Sequence, residues 1–195
     1  SEQEGLYTDG VGIKTLSRHA NTYAILHDVA DATRTERIAT RLFDDPALRS
    51  TTFYFAHYLH QTADKLNKPE RILNDMNRWI AMLEKGTSTW WETPEDTRSD
   101  CHAWSSTPTF TFMRLILGVR VKEPGFKRVE IRPFSAELKW AKGTVPTPHG
   151  DIQVSWKRED TFSIDVTIPE GIEADVILPN GKQQTVGAGQ HTIGE

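Results

Sequence analysis

Residues 151–168, DIQVSWKREDTFSIDVTI, decide how the second half of the chain is read. From Asp151 to Lys157 the apolar residues Ile152, Val154 and Trp156 occupy alternate positions, and from Phe162 to Ile168 so do Phe162, Ile164, Val166 and Ile168. A strand sends successive side chains to opposite faces, so this period of two predicts strands with one face in a core and the other in water. Arg158-Glu159-Asp160, short and polar, predicts the hairpin loop between them. Toward the C terminus, Pro169-Glu170-Gly171, Pro179-Asn180-Gly181 and Gly187-Ala188-Gly189 recur at the spacing of turns between short antiparallel strands. The last of these lacks the strand, helix and downstream acid of a dinucleotide fingerprint and reads as a turn. Residues 119–195 are therefore expected to form a small antiparallel β-sandwich.

On the other side of Gly118 the apolar period is helical. Leu16, Ala20, Tyr23, Ala24 and His27 fall on one stripe, and Thr33-Arg34-Thr35-Glu36 has the form of a capping box opening a second helix through Ile38 and Leu42. Asp44-Asp45-Pro46 stops it. Ser50 reads as the N-cap of a third helix carrying Phe55, Leu59, Ala63 and Leu66, which ends at Asn67-Lys68-Pro69. With Pro69 at its N-terminal end, a fourth helix carries Ile72, Met76, Trp79 and Leu83 until Gly86 closes it. A fifth runs from about Pro108 through Phe112, Met113, Ile116 and Leu117 to Gly118. The fold class is thus α plus β, with helical hairpins over residues 1–118 followed by the sandwich.

Two domains suit a chain of 195 residues, each large enough to bury a core. A net charge of -4, without a cluster of Lys and Arg, argues against nucleic acid or an anionic membrane as partner. No apolar run approaches the roughly 18–20 residues that span a bilayer. The single cysteine, Cys101, excludes an intrachain disulfide and leaves the compartment open between bacterial cytoplasm and periplasm. Ser1 stands where a Met would begin a gene product, and the residues after it lack the basic and apolar blocks of a signal peptide. A processed chain or a piece of something longer is expected.

Between the fourth and fifth helices, residues 87–107 are polar and rich in aromatics, too long for a bare connection. Trp90, Trp91 and Trp104, with Pro94 beside them, argue for an ordered segment. It holds Thr87-Ser88-Thr89-Trp90-Trp91-Glu92 and then Asp100-Cys101-His102-Ala103-Trp104. Sugar sites use flat apolar faces to stack on a pyranose, and carboxylates and imidazoles to bind hydroxyls and move protons. A carboxylate flanked by indoles can be oriented and partly desolvated, fit to act as a base toward water. From spacing alone, a second reading stands beside this one, with the tryptophans in a core and Glu92 an ordinary loop carboxylate.

The run Gly86-Thr87-Ser88-Thr89-Trp90-Trp91-Glu92, then Ser99-Asp100-Cys101-His102-Ala103-Trp104 and Ile116-Leu117-Gly118-Val119, resembles a catalytic segment of the α-L-rhamnosidases of glycoside hydrolase family 78. Ser17-Arg18-His19-Ala20-Asn21 upstream and Pro124-Gly125-Phe126 downstream continue the likeness. Gly143-Thr144-Val145 and Thr147-Pro148-His149-Gly150-Asp151-Ile152 resemble that family's C-terminal sandwich. The resemblance implies an (α/α)6 barrel, of which the hairpins would be part, and inverting hydrolysis by two acidic residues. It implies Glu92 as the general base and His102 as a rhamnose contact. Trp90, Trp91 and Trp104 are assigned to the rim or floor of the sugar pocket, and Asp100 to a sugar hydroxyl. No cofactor and no metal are implied. The partners are a rhamnosyl glycoside and either further barrel helices or a second copy of the chain. In the family the general acid precedes the Ser17–Asn21 element, in a segment these residues do not include, so the 195-residue chain alone is expected not to show normal turnover. The alternative is a non-catalytic carbohydrate-binding or assembly module.

Other chemistry is weaker. His57 and His60 lie three apart on a helix but lack an evident third metal ligand. Cys101 beside His102 invites a thiol-nucleophile reading, yet adjacent side chains rarely face one another. Asp28 and Asp31 read as a solvated helix face, and His19 as either a residue of the barrel mouth or a satisfied core histidine.

Overall fold

The computed structural model describes residues 4–93, 95 and 97–195; Ser1 and Pro94, both cited above, lie outside them. The chain divides into two compact units, 1–108 and 109–195.

Four helices build the first unit: α1 (Arg18–Leu26), α2 (Ala32–Arg41), α3 (Phe53–Lys65) and α4 (Glu70–Glu84). Three of them open on a side-chain cap. Ser17 accepts from the Ala20 amide, Asp31 from Arg34 and Thr52 from Phe55. Two of these caps differ from the sequence expectation. The box proposed at Thr33–Glu36 lies inside α2, because Asp31, in extended backbone, offers its carboxylate two residues earlier at 2.8 Å from the Arg34 amide. Thr52 rather than Ser50 caps α3 for the same reason. Asp31→Ala should therefore cost about 1 kcal/mol, whereas Thr33→Ala should change stability by only a few tenths. Denaturant unfolding of the two variants checks this, and an equal loss in both would contradict the assignment.

One cluster of buried residues joins Leu6, Ile25, Ile38, Leu42, Leu48 and Leu59. A second joins Phe53, Ala56, Trp79 and Met82, with Met76 and Trp91 packed against it. Leu83, expected on the buried stripe of α4, is 70% exposed, while Met82 is 2% exposed. Steps of three and of four both satisfy a 3.6-residue period, and the helix turns the nearer of the two residues inward.

The second unit begins within the short helix α5 (Thr107–Thr111), which continues as a π-helical turn over Phe112–Ile116, closed by the Leu117 amide donating to the Phe112 carbonyl at 2.9 Å. This turn is tied to the strands: Trp156 Nε1 donates to the Ile116 carbonyl at 2.7 Å, and the Phe134 amide to Leu115 at 2.8 Å. Gly118 follows at φ 85°, where a Cβ would fall 2.3 Å from the Arg132 carbonyl carbon, so the chain can approach itself this closely only without a side chain.

Two four-stranded sheets complete the unit. One is ordered β1 (Val119–Val121), β2 (Arg128–Ile131), β6 (Glu173–Ile177), β7 (Gln183–Val186). The other is ordered β3 (Trp140–Thr147), β4 (Gly150–Arg158), β5 (Phe162–Ile168), β8 (Gly189–Gly194). Alternate residues are buried as expected, including Ile152, Val154, Trp156, Phe162, Ile164, Val166 and Ile168. Trp156 and Phe162 stack with centroids 5.5 Å apart. The purely antiparallel expectation needs one correction, since β2 and β6 run parallel. The chain leaves the first sheet after β2, builds three strands of the second and re-enters beside β2, and such a crossover can return in either direction. Arg128 on β2 fixes the parallel pairing with a bidentate contact to Asp175 on β6, at 2.9 and 3.0 Å. Among the described residues, no helix is long and apolar enough to cross a membrane.

Candidate functional site

The polar, aromatic segment of the first unit folds back on itself. The His102 amide donates to the Trp90 carbonyl at 2.6 Å and the Glu92 amide to Ser99 at 3.0 Å, while the Thr89 hydroxyl donates to the Asp100 carbonyl. These bonds hold the backbone of Glu92 to that of Ser99 and the backbone of His102 to that of Trp90. A 3-10 turn, Ala103–Ser105, then ends the segment, and Trp79 Nε1 anchors it by donating to the Ser105 carbonyl at 2.8 Å.

Glu92 faces a cavity of about 860 Å³ in this unit. Besides Glu92 and its neighbours, the wall takes in Asp9 in the N-terminal segment, Ser17 and His19 at the start of α1, Thr51 to Phe53 at the start of α3, and Arg78 on α4. Backbone bonds hold the two helix starts together, Arg18 N to Arg49 O at 3.0 Å and Arg49 N to Leu16 O at 3.1 Å. The volume lies within the range of small-molecule sites. Glu92, Glu95 and Asp9 give it carboxylates, while Arg49 and Arg78 give it cations.

Electrostatics differ around the wall. Glu92, its side chain 21% exposed, is gripped by Arg98 through Nε at 3.2 Å and through Nη2. That hydrogen-bonded cation holds the carboxyl below the ordinary glutamate range, against the smaller opposing effect of desolvation and with help from His102. Burial pushes the His19 imidazole down, with Asp9 opposing and Arg49 reinforcing, so the ring is held toward its neutral form. Arg78 is fixed by Asp75 at 2.9 Å and by the Thr51 carbonyl at 2.8 Å, and lies over Phe53 and Trp79. Asp75 in turn accepts from His60 at 2.8 Å.

Of the residues singled out in the sequence, Glu92 lines the cavity and His102 lies near enough to act on its charge. His102 also meets the Trp104 ring edge-on at 5.8 Å, and Trp104 meets Tyr54 at 5.2 Å. Trp104 and Tyr54 are 67% and 43% exposed, an open aromatic shelf outside the cavity wall. Trp91 packs against the Phe53–Trp79 cluster with Lys85 over its ring, the environment of a supporting residue. Trp90 and Asp100 are exposed, and neither lines the cavity. His57 accepts from Gln61 at 2.7 Å and His60 serves Asp75, so the two histidines turn to different partners. Among the described residues, no group of three His, Cys, Asp or Glu side chains is arranged to hold a metal ion. Sequence reasoning missed Asp9, Arg49 and Arg78. No local pattern marks them, because each reaches the cavity from a different element and reads singly as a surface charge.

Residues 118–193 match the family model described as the bacterial alpha-L-rhamnosidase C-terminal domain. An alpha-L-rhamnosidase of Alteromonas sp. (strain LOR) is 35% identical over 114 residues, covering 52% of this chain and 12% of that protein. One from Formosa agariphila is 29% identical over 153 residues, covering 70% of this chain and 16% of that protein. Among solved structures, a family 78 rhamnosidase of Bacillus sp. GL1 superposes with a TM-score of 0.85 at 30% identity, over 93% of this chain and 21% of that one. A Streptomyces avermitilis α-L-rhamnosidase, complexed with L-rhamnose, superposes at 0.81 over 97% of this chain and 22% of that one; at 18% identity it speaks for the fold alone. This chain thus spans under a quarter of each of these relatives. The class these likenesses define is the family 78 glycoside hydrolases. Within it, the chain corresponds to the C-terminal portion of a bacterial α-L-rhamnosidase.

Proposed function

We propose that this chain supplies the general base and part of the sugar-binding wall of an inverting α-L-rhamnosidase, acting on rhamnosyl glycosides. One observation carries the reading: Glu92, its carboxyl held toward the charged form with His102 near it, lines a cavity of saccharide size. A general base must be unprotonated at working pH and within reach of a water held against the sugar. The lowered pKa of Glu92, set chiefly by the hydrogen bond from Arg98, meets the first condition. Neutral His19, with the hydroxyls of Ser17 and Thr52, offers donors and acceptors for sugar hydroxyls, and Arg49 and Arg78 offer donors only. Trp104 and Tyr54, outside the wall, suit stacking against the remainder of a glycoside. The general acid of this reading would come from the (α/α)6 barrel residues that such enzymes carry before this region.

Stereochemistry tests the mechanism. With the whole polypeptide that the gene encodes, the first product seen by proton NMR from an aryl α-L-rhamnoside should be β-L-rhamnose. The α anomer appearing first would mean a covalent intermediate and would remove Glu92 from the role of base. Sugar binding without any turnover would favour a carbohydrate-binding module instead.

A partner surface follows from α4, where Ile80 and Leu83, 46% and 70% exposed, put apolar area in water on neighbouring turns. We assign it to further barrel helices or to a second copy of the chain. Sedimentation of a strict monomer at high concentration would count against the second copy.

A further inference from the structure

Arg98 is the one cation on both oxygens of the Glu92 carboxylate among the described contacts, yet its own side chain is 83% exposed. An exposed arginine gains little stability from an ion pair, because water and salt screen it and its side chain loses freedom. The contact is nevertheless bidentate, and it is locally prepared. The Glu92 amide donates to the Ser99 carbonyl at 3.0 Å and the Thr97 hydroxyl to the same carbonyl at 2.8 Å, so the residues on either side of Arg98 are tied to the backbone of Glu92.

We propose that Arg98 is a positioning residue for the general base: its guanidinium fork sets the rotamer of Glu92 and keeps the carboxylate charged while leaving it able to accept from water. The inference rests on the reading of Glu92 as base and goes beyond it. A carboxylate offers about four lone-pair directions, and the fork takes two of them, one on each oxygen. The remaining directions are free for the attacking water and a sugar hydroxyl. During the reaction the proton passes from water to a Glu92 oxygen as the oxygen–carbon bond forms at the anomeric centre and the glycosidic bond breaks. The departing oxygen takes its proton from the general acid. Arg98 exchanges no proton; the bond it donates weakens as the carboxylate is neutralised, which aids release of that proton after turnover. The charges that act on Glu92 are Arg98 and His102, both from the same segment. Asp9, His19, Arg49, Arg78 and Glu95 line the same cavity.

The test is a carbon-13 NMR titration of the Glu92 carboxyl in the chain itself, joined to pH–rate profiles of the whole polypeptide, for wild type, Arg98→Ala and Arg98→Lys. In wild type the carboxyl should titrate below the ordinary glutamate range. In R98A the midpoint and the acid limb of kcat/KM should move up together, and kcat should fall on the order of 10-fold to 10²-fold, the loss typical of a reacting group displaced by about an ångström, with KM little changed. R98K, which keeps the charge but loses the fork, should restore the midpoint better than it restores kcat. Added salt should raise the wild-type midpoint and leave that of R98A where it is. Arg98 is exposed, so R98A should melt with the wild-type profile. A Glu92 midpoint that R98A leaves unmoved overturns the positioning role while the base assignment stands. Full turnover by E92Q overturns the base assignment, and the catalytic role of Arg98 with it, whatever the titration shows.

Discussion

Glu92→Gln is expected to lower kcat on an aryl α-L-rhamnoside by about 10²–10⁴-fold, the usual contribution of a positioned general base, with KM nearly unchanged. Glutamine has the shape of glutamate, and its amide oxygen can still accept from Arg98 and from a water. It cannot take a proton, so the water remains a poor nucleophile. The change thus removes an interaction that matters only as the proton moves, which is why it should appear in kcat rather than in KM. The smaller variant Glu92→Ala adds a sharper criterion. Azide is already nucleophilic and needs no base, so it should restore turnover in E92A and leave a β-glycosyl azide. A variant whose loss azide cannot relieve would point to a structural role for Glu92.

The second large effect concerns the wall rather than the base. Asp75→Ala should destabilise the helical unit by about 3 kcal/mol, the low end for breaking a buried ion pair, and should weaken L-rhamnose binding as well. The Asp75 side chain is 12% exposed and stands between His60, 4% exposed, and Arg78, 30% exposed. Removing it leaves both partners without their shared acceptor, and the exposure of Arg78 keeps the cost below the upper range. Burial alone would raise the Asp75 carboxyl, but the hydrogen bond from His60 and the charge of Arg78 outweigh it and hold the group below the ordinary aspartate range. The folded-state value is then lower than the unfolded one. The stabilisation is fully present above the unfolded pKa, about 3.9, and is lost as the pH falls through the folded value. Urea unfolding of wild type should weaken over that acid window, and D75A should show a shallower decline there. Equal slopes would contradict the network. Because Arg78 also caps the Thr51 carbonyl and lines the cavity, loss of Asp75 should reach the sugar site through a loosened wall.

Much of the architecture was legible in the chain. The alternation around Trp156 and Phe162 fixed which faces of β4 and β5 are buried, because a period of two admits one solution once one face is apolar. The helices were found, but their starts shifted to Asp31 and Thr52, since several adjacent residues could cap and only the backbone conformation chooses among them. The inward turn of Met82 in place of Leu83 and the parallel return of β6 beside β2 are long-range outcomes that local periodicity cannot express. At the site, Glu92 and His102 stood out because the fifteen residues from Trp90 to Trp104 hold both and the aromatics around them. Asp9, Arg49 and Arg78 were invisible because their meeting is made by the tie between the starts of α1 and α3. Arg98 was visible as a letter and silent as a partner, since an i, i+6 pair across a turn has no sequence signature.

The most direct measurement is a titration of the 195-residue chain with L-rhamnose, followed by proton–nitrogen NMR. The expected result is saturable shifts concentrated at Glu92, His19, Thr52 and the Arg78 side chain, reduced in H19A and absent with a sugar that cannot compete for the cavity. Shifts that are missing, or confined to the β-sandwich, would contradict a sugar site at Glu92.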